Sequence, residues 1–380
     1  MHKSLSIKDS TPYNQAFLVF IRCSTYNHKD YIEKAMDRFA IQQTSFPFVA
    51  AIMDDASTDG TRDIVEQYFL ENFNTKESGV AFEEEHEYGR LLFARHKKNN
   101  NCFFVLLLLK ENLYSKGRHN EKMIYIEPWA KSAKYHALCE GDDYWISSTK
   151  LQQQIDILEK NDNFSMVCSC ARLYSERLQK YNGMQRCREG DGILNPSEVI
   201  RNGGLYIATC TLVFRTNLWC DEPDYCQNCH VGDYPLQILG AMSGGIYYID
   251  SPMAVYRVDN PSSWIGQLSR HKLTKKRLDG IESEIRMLQA FAKEYPVYKE
   301  DFEARINYFL KINIPYYLHD PNGFKEYIKR FKTEINGFDK KMKLKVFIKH
   351  SIISFLPYQL FAKIKHQIVS FFKKGIDVIF

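Results

Sequence analysis

The chain alternates short, densely apolar runs with stretches whose apolar residues recur at helical spacing. Phe17-Leu-Val-Phe-Ile21 is the first run, and such continuous apolar character suits a strand covered on both faces. A helix is predicted from about Asp30, where Ile32, Ala35, Met36 and Phe39 fall on one side. Phe48-Val-Ala-Ala-Ile-Met53 predicts a second buried strand. It runs into DDASTDGT (54–61), where Asp-Gly marks a turn and Thr61 suits the cap of a helix carrying Ile64, Val65, Tyr68 and Phe69 on one face. Strand, helix, strand, turn, helix is how a mostly parallel sheet with crossover helices begins, so the predicted class is α/β.

Residues 71–101 are polar, with Glu83-Glu-Glu-His-Glu87 and Asn99-Asn-Asn101, and read as a solvated excursion without chemistry. The sheet resumes at Cys102–Leu109 and again at Tyr135–Leu138. A helix with Leu151, Ile155 and Leu158 on its face follows, capped by Ser147 or Ser148. Further strands are predicted at Ser165–Leu173, Ala208–Phe214 and Gly244–Ile249, with a short helix at Pro235–Met242. Beyond about residue 266 the pattern becomes helical, as in Ile281–Phe291. The reading therefore divides the chain into an α/β domain, 1–265, and a helical C-terminal region, 266–380.

With 380 residues, 44% hydrophobic and 26% charged, the chain has ample core for one large domain or two. Disorder, collagen and repeat arrays are excluded by composition and by the lack of a fixed period. The opening residues lack the apolar segment of a signal peptide, and no run approaches the ~18 apolar residues of a spanning helix. The expected location is cytoplasmic, with the ten cysteines as reduced thiols. Cys226-Gln-Asn-Cys229-His230 matches a haem-attachment spacing, but that chemistry needs an exported chain. A zinc on Cys220, Cys226, Cys229 and His230 is the other candidate; free thiols are favoured, because structural zinc sites usually come as two separated pairs.

CEGDDYW (139–145) sets three carboxylates in four positions at the end of an apolar strand. Like charges this close repel, more so when buried. Either this is a solvated acidic turn or it is a seat for a hard cation such as Mn²⁺ or Mg²⁺. DDASTDGT places a second acidic cluster at the carboxyl end of another strand, where open α/β sheets bind their ligands. Converging carboxylates favour the cation. The chain also lacks G-x-x-x-x-G-K-[ST] and G-x-G-x-x-G, so a bound diphosphate would be held through metal.

Residues 17 to about 264 resemble a family 2 glycosyltransferase of the GT-A fold, of the type that builds bacterial cell-surface polysaccharides. CSTYN (23–27), DDASTDGT and EGDDYW followed by KLQQQIDILE carry the resemblance. It implies a nucleotide-sugar donor, uridine diphosphate being the expected nucleotide, and inverting transfer of a hexosyl or N-acetylhexosaminyl group. It implies that Ser24, Tyr26, Asn27, Asp54 and Asp55 hold the nucleoside. Glu140 stands where the family's first acid would be, near ribose or metal. Asp142 stands at the second acid as metal ligand, and the adjacent Asp143 could exchange roles with it.

Inverting transfer needs a general base for the acceptor hydroxyl and charge stabilisation for the leaving diphosphate. The family places its base in an acidic turn before a helix, which His230-Val-Gly-Asp233-Tyr-Pro matches, so Asp233 is the catalytic candidate; Asp before Pro is equally a good helix start. Tyr256-Arg257 with Ser262-Ser-Trp264 resembles the family's closing segment. Arg257 is either a diphosphate contact or a structural ion pair, and Asp259 stands where members often carry His.

Nine of the 51 basic residues lie between Lys340 and Lys374, a segment without acids, so the rest of the chain is mildly acidic. Lysine mixed with Phe, Leu and Ile suits an anionic membrane surface, which fits a glycan or lipid-linked glycan acceptor and a peripheral position on the inner face of the cell membrane. The other reading is a helical subdomain with snorkelling lysines. Nucleic acid is not expected as a partner. Two rival functions use the same site: a nucleotidyltransferase, and a non-catalytic scaffold that binds nucleotide-sugars.

Overall fold

A computed structural model of the protein describes residues 16–78, 80–118, 121–227, 229–260, 275–317 and 321–338. The chain separates into two compact units, 1–227 with 231–269 and 228–230 with 270–380. In the first unit come β1 (Val19–Thr25), α1 (Ile32–Ala40), β2 (Phe48–Asp54), α2 (Thr61–Asn72), β3 (Phe82–Glu85), β4 (Gly89–Arg95), β5 (Cys102–Leu109), α3 (Met123–Ser132) and β6 (Tyr135–Leu138). Then follow β7 (Tyr144–Trp145), α4 (Lys150–Lys160), β8 (Met166–Ser175), β9 (Lys180–Gln185), β10 (Gly192–Ile193), α5 (Pro196–Asn202) and a 3-10 turn (Thr209–Thr211). The unit closes with β11 (Val213–Arg215), α6 (Asn217–Cys220), α7 (Asp224–Gln227), α8 (Asp233–Met242) and β12 (Ile246–Val258).

The strands form one sheet ordered β10-β12-β8-β11-β6-β1-β2-β5-β4-β3, with β7 on β12 and β9 on β8. Its centre, β6-β1-β2-β5, is parallel, and helices cover both faces, as expected of the α/β class. The apolar runs sit there because both faces of these strands are packed. Val19, Ile21 and Cys23 of β1 enter one core layer and Phe20 the other. Every residue of β2 and β5 is buried.

Two expectations are corrected. Residues 71–101 are not a solvated excursion, because β3 and β4 extend the sheet antiparallel beyond β5. Leu91, Leu92, Phe93 and Ala94 are buried, while the flanking charges are spent in the Arg90–Glu66 and Arg95–Glu77 ion pairs. The glutamates lie on the exposed edge strand, where charge discourages pairing with other chains. Ala208–Phe214 is a 3-10 turn followed by the short β11 rather than one strand.

Lys150 is fully buried, donating from Nζ to Gln154 Oε1 at 2.6 Å, with the ammonium over the Trp145 ring at 4.3 Å. Burial pulls its pKa down from 10.5 to about 7, against the pull of nearby thiols. The unfolded chain therefore binds one more proton than the folded chain between those values, and stability from this group rises as pH climbs through that window. Lys150→Met should be more stable than wild type near pH 7, with the gap narrowing by on the order of a few kcal/mol toward pH 10. Chemical denaturation of both proteins across that range checks it; a pH-independent gap would refute a neutral buried amine.

The second unit is helical: α9 (Lys275–Glu294), α10 (Lys299–Tyr317), α11 (Pro321–Arg330) and α12 (Lys332–Asn336). Phe291 stacks on Phe302 at 5.9 Å, and Leu288 and Leu310 are buried with them. No helix among the described residues is long and apolar enough to cross a membrane. The basic segment 340–374 and Ser262-Ser-Trp264 lie outside the described residues.

Candidate active site

Parallel register brings the ends of β1, β2 and β6 together, Thr25 standing opposite Asp54 and Arg22 opposite Leu138. The loops after β1 and β2 are laced to one another. Asn27, in the left-handed region at φ 57°, donates its N–H to Ser57 Oγ at 2.9 Å and accepts at Oδ1 from the Thr58 N–H at 2.9 Å. The His28 N–H donates to Thr61 Oγ1 and the Lys29 N–H to Asp59 Oδ2. Thr61 thus ties loops together rather than capping α2, which is preceded by Gly60 without a side-chain cap. Tyr26 stands 40% exposed at the mouth of these loops.

The two aspartates after β2 face different partners. Asp55 is buried and accepts at both oxygens, from the Leu113 N–H at 2.8 Å and the Tyr114 N–H at 3.1 Å, which pins the loop after β5. Asp54 is also buried; Oδ2 accepts from Arg62 Nε at 3.1 Å, and Oδ1 has no partner among the described residues. Burial raises its pKa, and hydrogen bonds from Ser57 and the Arg62 charge hold it back.

The EGDD turn is held against β1. The Gly141 N–H donates to the Ser24 carbonyl, and the Ser24 N–H donates to Glu140 Oε2 at 3.1 Å. A side chain at 141 would meet Thr25 Oγ1 at 2.7 Å, so only glycine lets the turn approach this closely. Burial raises the Glu140 pKa, opposed by Arg22 and Lys122. The successive aspartates then point apart. Asp143 is 3% exposed and accepts at Oδ1 from the Arg257 N–H of β12 at 2.8 Å, and burial with the adjacent Asp142 charge pushes its pKa well up. Asp142 is partly exposed, its Oδ2 4.0 Å from His28 Nε2.

The Arg257 guanidinium is committed within the protein. It pairs with Glu176 through Nε at 2.9 Å, donates to the Asp142 carbonyl, and lies between the rings of Tyr31 and Tyr144 at 4.6 and 4.8 Å. Of the two sequence readings, the ion pair is the one the geometry realises. Asp259 accepts at Oδ2 from Ser175 Oγ. Asp233 opens α8, accepting at Oδ2 from Thr209 Oγ1 at 3.0 Å and at Oδ1 from the Tyr234 N–H at 2.9 Å. Burial raises its pKa against those bonds and the Arg22 charge. A chain of contacts leads from it to β7, which directly follows the EGDD turn: Thr209 adjoins Cys210, whose carbonyl accepts from Trp145 Nε1 at 2.8 Å.

Sequence reasoning missed His28, Thr209 and the buried Lys122. Lys122 precedes α3 and is depressed by burial while Asp55 and Glu140 favour its charge. His28 Nδ1 is buried with no partner among the described residues, and burial lowers the ring's pKa against the Asp142 charge. No cluster of three or more His, Cys, Asp or Glu able to hold a metal occurs among the described residues.

The donor set fits a divalent cation only in part. Asp142 and His28 supply one carboxylate and one imidazole, which suits Mn²⁺ better than the oxygen-preferring Mg²⁺, and the remaining positions would fall to phosphate oxygens and water. Asp143 and Glu140 already accept backbone hydrogen bonds.

No family model matches the chain. S. aureus TarS 1–349 in complex with UDP superposes with a TM-score of 0.55 at 14% identity, covering 92% of this chain and 91% of that one. The chain shares its fold with TarS. The TarS complex with UDP-GlcNAc superposes equally well, with the same TM-score and coverage. An uncharacterized protein of Mycobacterium tuberculosis is 27% identical over 262 residues, 69% of this chain and 65% of its own length, as is one of Mycobacterium bovis. The match thus spans less than two thirds of those mycobacterial relatives.

Proposed function

We propose that the first unit is a glycosyltransferase that moves a sugar, with inversion, from a nucleoside diphosphate sugar to a hydroxyl of a glycan acceptor. The observation that carries this is the split of the EGDD turn. Asp143 is turned inward onto β12 so that Asp142 is presented beside His28, while the buried carboxylate of Asp233 connects through Thr209 and Cys210 to β7, which directly follows that turn.

Asp142 and His28 would hold the cation, Mn²⁺ or Mg²⁺. When bound with the donor, it supplies positive charge to the departing diphosphate. Asp233 takes the proton of the acceptor hydroxyl as that oxygen bonds to the anomeric carbon and the carbon–diphosphate bond breaks. Its raised pKa makes it a stronger base than an exposed carboxylate. Tyr26 would stack on the nucleobase, the loop carrying Ser24 and Asn27 would frame the ribose with Asp54 and Glu140, and Lys122 and Asp55 would complete that side. Asp143 and Arg257 position the turn. TarS, which holds UDP and UDP-GlcNAc, supports a uridine donor. The lysine-rich segment 340–374 supports a peripheral position at an anionic membrane and a lipid-linked acceptor.

The test is a calorimetric titration of UDP with Mn²⁺ or with chelator, on wild type and Asp142→Asn. With only two protein ligands, cation and nucleotide should bind as a unit: Mn²⁺ alone weakly, UDP with Mn²⁺ about tenfold to a hundredfold tighter than UDP with chelator. Asp142→Asn should lose that difference. Equal UDP affinity with and without Mn²⁺ would remove the metal from the reading, and no UDP binding at all would remove the donor.

A further inference from the structure

The hairpin of β8 and β9 is built unlike the rest of the sheet. Among the described residues β9 pairs only with β8, and Lys180, Tyr181, Asn182, Gly183 and Met184 are all exposed. Leu178, Tyr181 and Met184 are 45%, 51% and 51% exposed. Ile193 and Leu205, 57% and 65% exposed, belong to segments whose backbone is hydrogen-bonded to the end of this strand. They are bound to it: Gln185 donates to the Leu205 carbonyl, Tyr206 Oη to the Cys187 carbonyl at 2.9 Å, and Arg188 to the Ile193 carbonyl at 3.1 Å. Neighbouring exposed apolar side chains are costly in water and mark surfaces that meet something.

The hairpin itself is basic, and the acids Glu189, Asp191 and Glu198 begin only after it. Arg172, Arg177, Lys180, Arg186 and Arg188 lie between 172 and 188, where the one acid is Glu176, already paired with Arg257. Arg186 pairs with Asp250, while Arg177 and Lys180 have no ion-pair partner among the described residues. A sugar polymer would match the cations but not Leu178, Met184 and Ile193. A protein partner would match the apolar groups and bring carboxylates for the cations. An anionic lipid surface matches both at once, phosphates meeting Arg and Lys while Tyr and the aliphatic tips enter the headgroup region. A two-stranded edge with unpaired backbone groups cannot sit deeper than that interface.

We propose that the β8–β9 hairpin, with Ile193 and Leu205, is an interfacial docking surface for anionic phospholipid, separate from the lysine-rich segment 340–374. It reaches the candidate active site directly. Tyr181 Oη lies 3.2 Å from Tyr144 Oη, Tyr144 flanks Arg257, and Glu176 in the hairpin turn holds the guanidinium that donates to Asp142. Docking would thus set the candidate active site against the membrane, a consequence that rests on the glycosyl-transfer reading. The docking itself does not.

The experiment uses the full chain and no turnover. Met184→Trp is mixed with vesicles of phosphatidylcholine and phosphatidylglycerol carrying bromine-labelled acyl chains, and with vesicles of phosphatidylcholine alone. Wild type serves as control for the native tryptophans. Emission from the introduced indole should be quenched on the anionic vesicles only, and Arg177→Glu with Lys180→Glu should weaken vesicle partition about tenfold at unchanged melting temperature. Vesicle-bound protein whose introduced indole stays unquenched would overturn the proposal and give the binding to segment 340–374. Partition of the double variant equal to wild type, or no partition by wild type, would overturn it as well. Loss of UDP binding in the separate calorimetry would leave this result standing and remove only its link to sugar transfer.

Discussion

Asp233→Asn is expected to lower turnover of the nucleotide-sugar by about a hundredfold to ten-thousandfold while leaving the affinity for UDP with Mn²⁺ and the melting temperature near wild type. The substitution isolates the proton. Asparagine keeps an oxygen for the Tyr234 N–H and a partner for Thr209 Oγ1, and it starts a helix as well as aspartate does. UDP release measured beside calorimetry separates the outcomes. Because burial raises the Asp233 pKa, the base is lost on acidification sooner than an ordinary carboxylate of about 3.9, so the acid limb of the wild-type profile should lie above that value. Unchanged turnover in the variant would reduce Asp233 to a helix start. A wild type that binds UDP and turns over no sugar donor would instead make the chain a scaffold.

Arg257→Met should cost about 3 to 5 kcal/mol of stability, the largest folding effect expected of any substitution around the site. The two side chains of the Arg257–Glu176 pair are only 7% and 11% exposed, so removing the guanidinium strands a carboxylate away from water. It also opens the gap between Tyr31 and Tyr144 and releases the Asp142 carbonyl. Lysine should not rescue it, having no planar fork to serve Glu176, the carbonyl and both rings together. Denaturant melts of Arg257→Met, Glu176→Gln and the double variant give the coupling. A loss near zero would return Arg257 to the role of a free cation awaiting diphosphate.

The parallel centre was legible because strands buried on both faces cannot hide: Phe48–Asp54 and Cys102–Leu109 are apolar almost without interruption. β4 escaped for the opposite reason, its apolar core being framed by arginines whose partners, Glu66 and Glu77, are remote in sequence. The acidic turns were legible as clusters, since repulsion between neighbours is visible in one dimension. Their division of labour was not. Asp142 and Asp143 are alike on paper, and only the approach of β12 turns one inward. His28, Lys122 and Thr209 are brought into place by strand register and by the packing of α3 and α8, and nothing in their neighbours announces it.

The lacing of the loops after β1 and β2 has an evolutionary consequence. Asn27 meets Ser57 and Thr58, His28 meets Thr61, and Lys29 meets Asp59. A substitution on one side removes a partner on the other, so the two segments should co-vary and descend together as a single inherited cassette.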